Sequence, residues 1–212
     1  MSRKPENPYK KPDRFTRAAK EQGYAARSVF KLSEVDQRHP ILRPGQRVVD
    51  LGCFPGSWSR YVLERVGRKG CLVGVDFEAP ALPGGHWIAR SVLDVTPAEI
   101  LEALGGPADV VLSDMAPNTT GVAFTDHVRQ LVLARAALEI AEATLVTGGA
   151  FFLKVFDGEE VPAFQTALRQ RFTKLSRYRP EAVRNNSREF FLLATGYRGP
   201  LSAPTPSGGA GA

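Results

Sequence analysis

The chain has 212 residues, 43% of them hydrophobic and 24% charged, with a net charge of +6 and an isoelectric point of about 9.5. That length suits one domain with a substantial core and is too short for two full catalytic domains. No run of 18 apolar residues is present, which excludes a transmembrane helix, and the opening Met1-Ser-Arg-Lys-Pro-Glu-Asn-Pro lacks the apolar centre of a secretory signal. Cys53 and Cys71, the only cysteines, have neither metal-ligand spacing nor a disulfide framework, so a cytoplasmic protein without a structural metal is expected.

Residues 1–22 are polar, basic and broken by Pro5, Pro8 and Pro12, and read as an arm that is disordered or orders on RNA. Between Ala25 and Arg38, Val29, Leu32 and Val35 recur at helical spacing until Pro40 ends the run. Strands then alternate with helices. Arg47–Asp50 is the first strand and Trp58–Val66 its helix, Cys71–Asp76 the second strand and His86–Ala89 the third. A short helix over Pro97–Leu104 precedes the fourth strand, Ala108–Ser113. Asp126–Val146 is a long amphipathic helix, with Leu131, Ala134, Leu138, Ala141 and Leu145 in one stripe and Gly148-Gly149 as its stop. Ala150–Val155 is the fifth strand and Pro162–Phe172 a helix; Lys174–Tyr178 and Glu189–Gly196 form a closing hairpin at one sheet edge. Continuous apolar strands between helices predict an α/β fold whose mostly parallel sheet is covered on both faces. The expected division is a basic arm over 1–22, a catalytic domain over 23–198 and a flexible tail over 199–212, GPLSAPTPSGGAGA.

Charge is concentrated at the two ends. Residues 1–20 carry seven bases against two acids, residues 169–198 carry eight against two, and the remainder is slightly acidic. Two basic ends around an acidic middle fit either a polyanion lying across a ligand pocket or two solvated charged faces.

The chemistry concentrates in Val48-Val49-Asp50-Leu51-Gly52-Cys53-Phe54-Pro55-Gly56-Ser57-Trp58-Ser59. An apolar strand ends in an acid, turns through two glycines and enters a helix. Gly52 and Gly56 can take backbone angles closed to other residues and admit a ligand against the main chain. In an open α/β sheet such a turn lies at the ligand-binding edge. The spacing is not that of a dinucleotide fingerprint. It suits a nucleoside cofactor without a pyrophosphate, such as S-adenosylmethionine, whose cationic sulfonium and ammonium favour nearby acids, or else a tight turn with no ligand.

Other strand ends are polar as well. Asp76 closes the second strand, where an acid can accept both hydroxyls of a ribose, and Ser113-Asp114 closes the fourth. Lys154 lies inside Phe151-Phe152-Leu153-Lys154-Val155-Phe156, so it must snorkel or pair with acids. Asp114 is its partner if strands one, four and five are neighbours. The pair is then either a structural ion pair or a general base beside its orienting acid.

Phe30-Lys31-Leu32, the Asp50 turn, Ser113-Asp114-Met115-Ala116-Pro117-Asn118, Leu153-Lys154-Val155-Phe156 and Ser187-Arg188-Glu189 occur in that order. Together they closely resemble the FtsJ/RrmJ-type RNA 2′-O-methyltransferases over about residues 15 to 198. The resemblance implies a Rossmann-like methyltransferase fold and a catalytic tetrad of Lys31, Asp114, Lys154 and Glu189. It also implies S-adenosylmethionine contacts from Asp50, Gly52, Gly56, Trp58, Asp76 and Asp114, without a metal. The substrate it implies is RNA, a uridine of large-subunit ribosomal RNA within a ribosomal particle. The chain departs from the pattern at Cys53-Phe54, which stand where small residues are usual, and at Ser57, which replaces a second glycine. Ser91 stands at the acid expected near adenine, with Asp94 three residues later as the other candidate. His39, His86 and His127 have no ligand spacing and are expected on the surface. Rival readings are a transfer RNA 2′-O-methyltransferase and a non-catalytic RNA-binding factor of ribosome assembly.

Overall fold

The computed structural model describes residues 13–117, 120–184 and 187–200. Most of the basic arm and nearly all of the tail therefore lie outside the described residues. Helices α1 (Arg14–Glu21) and α2 (Val29–Arg38) lead into β1 (Arg47–Leu51), α3 (Ser57–Val66), β2 (Cys71–Asp76), β3 (His86–Ala89) and α4 (Pro97–Leu104). Then follow β4 (Ala108–Ser113), α5 (Ala123–Thr144), β5 (Leu145–Phe156), α6 (Val161–Arg171), β6 (Phe172–Tyr178) and β7 (Glu189–Tyr197). The strands form one seven-stranded sheet in the order β3-β2-β1-β4-β5-β7-β6. Every pairing is parallel except those of β7, which runs antiparallel to both β5 and β6. The mostly parallel α/β sheet and its closing hairpin are as expected, and β1, β4 and β5 are neighbours.

One apolar layer packs Val49, Leu51, Val73, Val111, Phe151 and Leu153 under α4, α5 and α6. The other packs Val48, Leu72, Val110, Leu112, Phe152 and Phe191 under α2 and α3. This is the alternation that a strand buried on both faces imposes. Trp58 stacks on Phe152 with ring centroids 5.5 Å apart, and Phe152 on Phe191 at 5.2 Å. Such pairs contribute about 0.5–1.5 kcal/mol each beyond the area they bury.

Local chemistry sets the element ends. Thr96 and Glu99 form a reciprocal capping box at the start of α4, with Pro97 in its first turn, and Gly105 closes the helix in the left-handed conformation. Buried Asp36 ends α2 by accepting the amides of Ile41 at 3.0 Å and Leu42 at 2.9 Å, and it also accepts Tyr61 Oη–H at 2.9 Å.

Three features differ from the sequence reading. Residues 14–21, assigned to the arm, form α1, capped by the Asp13 carboxylate on the Thr16 amide at 2.9 Å. Phe15 packs on Phe30 of α2 at 5.7 Å, and Arg27 pairs with Asp13. The helix is legible only as part of this contact, because its apolar face is little more than Phe15 and Ala19. Second, α5 begins at Ala123 and ends at Thr144, and Gly148-Gly149 lie within β5 instead of stopping a helix. Leu145 already pairs with Ala108, and a register shift between Ala108 and Val110 absorbs the glycines. Third, α2 starts at Val29 rather than Ala25.

Candidate active site

The carboxyl ends of β1, β2, β4 and β5 meet at one edge of the sheet, as parallel strands in this order require. The turn after β1 works as its glycines suggest. Gly52 (φ 79°) and Gly56 (φ 101°) occupy the left-handed region, and Gly52 N–H donates to the Val75 carbonyl at 2.8 Å. A β-carbon on Gly52 would lie 2.8 Å from Met115 Cγ, so only glycine lets the turn pass the segment that follows β4.

Beside this turn opens a cavity of about 690 Å³, lined by Gly52, Phe54, Asp76, Phe77, Ser91 and Asp114 among others. That volume lies within the usual range for cofactor and small-ligand sites. Met115 of the Ser113–Asn118 motif adds to its wall, and Arg90, Leu93, Arg129, Val132 and Leu133, which were not singled out from sequence, complete much of the rest. Their only signal is position, just after a strand or on one flank of α5.

Asp76 and Asp114 line this cavity; Asp50, also expected among the cofactor contacts, does not line it and lies fully buried near them. Asp50 Oδ2 accepts Ser59 Oγ–H at 2.7 Å, and its Oδ1 has no hydrogen-bond partner. Burial pushes the Asp50 carboxyl up to about 7, aided by the negative charges of Asp114 and Asp76 and opposed by the Ser59 bond. Asp76 accepts the amides of Phe54 at 2.9 Å and Phe77 at 2.7 Å. The Cys53 thiol is held well above its usual range by burial and by Asp50 and Asp76, which makes it inert.

Two lysines lie on the β5–β7 side of the same edge. Lys154 Nζ is 3.1 Å from Asp114 Oδ1 and donates to the Asp114 backbone carbonyl at 2.6 Å. Lys31 Nζ, projecting from α2, is 2.6 Å from Glu189 Oε1 and sits 5.5 Å above the Phe191 ring. Phe191 is the β7 partner of Lys154, and Glu189 is the partner of Phe156 two residues on. Directly paired residues share a sheet face, so Lys154, Phe191 and Glu189 point the same way, towards α2. The sequence pairing of Lys154 with Asp114 is thus present, and all four tetrad candidates are brought together.

Residues 24–197 match the FtsJ-like methyltransferase family model. The chain is 46% identical over 196 residues to "Ribosomal RNA large subunit methyltransferase E" of Sorangium cellulosum, covering 91% of this chain and 92% of that one. A protein of the same name from Anaeromyxobacter dehalogenans is 43% identical over 204 residues, covering 94% and 76%. A crystal structure assigned as a ribosomal RNA methyltransferase of Plasmodium falciparum superposes with a TM-score of 0.73 at 26% identity, covering 83% of this chain and all of the other. The chain belongs to the FtsJ-like methyltransferase family.

Not every residue named from the motifs reaches the cavity of this methyltransferase. Trp58 is 3% exposed and lies in the aromatic core, where Nε1–H donates to the Ser28 carbonyl at 2.8 Å. Ser57, the departure from glycine, accepts the Ala26 amide on Oγ at 2.6 Å. Both side chains therefore tether the segment that leads into α2 and Lys31. Gly56 borders a neighbouring hollow with Lys20, Tyr24 and Arg60. Of the two candidates near adenine, Ser91 lines the cavity and exposed Asp94 does not, because its side chain follows a turn closed by its amide on the Ser91 carbonyl at 3.0 Å. His127 corrects the expectation of a surface histidine: it is buried and pairs with Glu160.

The basic C-terminal segment is also partly internal. Arg171 pairs with Glu142 at 2.6 Å, and Arg177 with Asp157 at 3.3 Å. Arg179 donates to the Ser187 carbonyl at 2.7 Å and to the Glu189 carbonyl at 3.1 Å, holding the loop that enters β7. Arg177 and Arg179 are nonetheless exposed, as are Arg17 and Lys20 of α1.

Proposed function

We propose that this methyltransferase transfers a methyl group from S-adenosylmethionine to a ribose 2′-oxygen of large-subunit ribosomal RNA, with a uridine as the target. The observation that carries the reading is the pairing of Lys154 with Asp114 at 3.1 Å and of Lys31 with Glu189 at 2.6 Å beside an acid-lined cavity. A protein that only binds RNA has no need for two lysines paired over an aromatic floor.

The residues suit the cofactor. Asp50 offers a buried acceptor without a partner and a carboxylate destabilised by burial, which a sulfonium or ammonium nearby relieves. The Asp76 oxygens keep acceptor capacity for ribose hydroxyls beyond their two amide bonds. Phe77 and Leu93 supply apolar wall, and Ser91 a hydroxyl for the base. When bound, the cofactor supplies an electrophilic methyl, and the reaction is an in-line displacement.

The chain's own contribution is placement and proton handling. Lys154 acts as base in its neutral amine form. Its ammonium first gives up a proton to solvent, a loss favoured by the neighbouring Lys31 cation, and the amine then takes the 2′-hydroxyl proton as the oxygen–carbon bond forms. Asp114 holds that amine through both its carboxylate and its backbone carbonyl. Lys31, oriented by Glu189, offsets negative charge developing on the attacking oxygen. Phe191, stacked on Phe152 and through it on Trp58, gives the Lys31 amine an apolar floor.

Exposed Arg17 and Lys20 of α1, with the bases of residues 1–12, suit contacts to RNA phosphates. The test incubates the protein with labelled S-adenosylmethionine and either large-subunit particles or transfer RNA, then maps the label. Label on a ribose 2′-oxygen of the large-subunit RNA is expected. Label confined to transfer RNA, or to a base carbon or nitrogen, overturns the assignment.

A further inference from the structure

β4 ends at Ser113, paired with Leu153, whereas β5 continues to Phe156. Beyond Leu153 the side of β5 facing β4 has no strand beside it, yet this is the stretch that carries Lys154. Residues two apart on a strand present their backbone groups to the same side. The backbone groups of Lys154 and Phe156 that face β4 therefore need partners from elsewhere.

Those partners come from α5. Gln130, 1% exposed, donates from Nε2 to the Lys154 carbonyl at 2.7 Å and accepts the Phe156 amide on Oε1 at 3.3 Å. One side-chain amide thus offers a donor and an acceptor with the spacing of a neighbouring strand. His127, three residues earlier on the same helical face, places Nδ1 3.2 Å from the Phe156 carbonyl, and its Nε2 pairs with Glu160. Asp126 holds the other flank, accepting the amides of Thr120 at 2.6 Å and Gly121 at 3.1 Å in the loop that follows Asp114. The first turns of α5 therefore grip both chain segments that diverge from the Asp114–Lys154 pair.

We propose that Gln130 is a positioning residue for Lys154: its amide replaces the strand that β4 ceases to supply and fixes the backbone from which the lysine projects. The open edge is needed for Asp114 to leave the sheet and face Lys154. Gln130 keeps that opening from loosening β5. This inference rests on Lys154 being the base.

The test compares wild type with Gln130→Met and Gln130→Glu, with Lys154→Ala as reference, measuring kcat, KM for RNA, cofactor Kd and amide hydrogen exchange at Phe156. Gln130→Met keeps the length and loses both bonds; Gln130→Glu keeps the acceptor for Phe156 and loses the donor to the Lys154 carbonyl. Misplacing a reacting group by an ångström costs roughly 100-fold. Both variants are therefore expected to lose roughly 10- to 100-fold in kcat, with KM and Kd within about twofold of wild type. Exchange at Phe156 should accelerate in Gln130→Met and stay slow in Gln130→Glu. If Gln130→Met does not fold, the kcat–KM split in Gln130→Glu decides alone. Unchanged kcat in the variants beside an inactive Lys154→Ala overturns this inference and leaves the proposed function standing. So does a parallel collapse of cofactor affinity, which marks a merely structural role. An active Lys154→Ala overturns the base role of Lys154 and with it this inference, while the substrate assignment stands or falls by where the label maps.

Discussion

The two halves of the site solve opposite electrostatic problems on one sheet edge. Around β5 and β7 every lysine has its own acid, Lys154 with Asp114 and Lys31 with Glu189, so the lysine half is balanced before any ligand arrives. Around β1 and β2 Asp50 and Asp76 pair with no cation among the described residues, and hydroxyl and amide donors hold them. Asp50 Oδ1 has no hydrogen-bond partner, whereas Asp114 Oδ1, also without a hydrogen bond, lies 3.1 Å from Lys154 Nζ. On the proposed function the balanced half serves the chemistry, where geometry must already be set when substrate arrives. The unbalanced half then serves binding, with the cofactor bringing the missing positive charge. Asp114 belongs to both, lining the cavity while it pairs with Lys154.

Substitution should separate the halves, and the largest effect belongs to the lysine side. Lys154→Ala should lower kcat by roughly 10²–10⁴-fold, the usual contribution of a positioned base, and leave cofactor Kd nearly unchanged. Single-turnover methylation alongside calorimetric titration checks this. Equal losses in both quantities would show that the division is false. Lys31→Ala should follow the same pattern with a smaller loss, because its amine acts on charge and not on the transferred proton.

On the acid side, Asp76→Ala should weaken cofactor binding by about 1–3 kcal/mol for lost charge-assisted bonds, with kcat at saturation largely kept. Asp50 gives a pH signature. Its folded carboxyl is pushed up to about 7 from an ordinary value of 3.8, so the folded chain holds this proton more tightly than the unfolded one. The stability it contributes is present in full below the ordinary value and is lost as pH rises through about 7. Asp50→Asn cannot ionise, so thermal melts without ligand should show the variant gaining on wild type as pH rises from the ordinary value of 3.8 to about 7 and holding that gain above it. Cofactor affinity should move the other way. In wild type it should rise with pH up to about 7, by roughly tenfold per unit at most, because binding a cation favours the ionised carboxylate. In Asp50→Asn that dependence should flatten at a lower affinity. A wild-type affinity that is level across neutrality would remove Asp50 from the binding half.

What the sequence disclosed follows from how local each feature is. The glycine turn, the strand-end acids and a lysine among phenylalanines are violations of local pattern, and violations are visible without coordinates. So is the alternation that sets the sheet, down to the bounds of β2, β3, α4 and β4. The features that were missed depend on partners far along the chain. Gln130 and His127 look like the polar face of an amphipathic helix until β5 is seen to outrun β4. Trp58 belongs to the motif, yet its ring is spent on Phe152 and the Ser28 carbonyl, and so supports Lys31 more than the cavity. Charge counting misleads for the same reason: Arg171, Arg177 and Arg179 have internal acids or carbonyls as partners, which composition cannot reveal.

That last point yields the smallest effect predicted here and refines where RNA phosphate is met. If α1 contributes to the RNA surface, Arg17→Ala with Lys20→Ala should weaken RNA binding uniformly across sequences. Losing two phosphate contacts should flatten the plot of log affinity against log salt by roughly 1.4 to 1.8 in slope. The cofactor site is separate from those side chains, so cofactor Kd and kcat at saturating RNA should not change. Arg171→Ala, whose guanidinium is engaged with Glu142, should leave the salt slope as it is and lower stability modestly, by about 1 kcal/mol or less for a partly exposed pair. The discriminating measurement is binding at several salt concentrations for both variants. A slope that moves with Arg171 and not with Arg17 and Lys20 would transfer the phosphate contacts from α1 to the C-terminal strands.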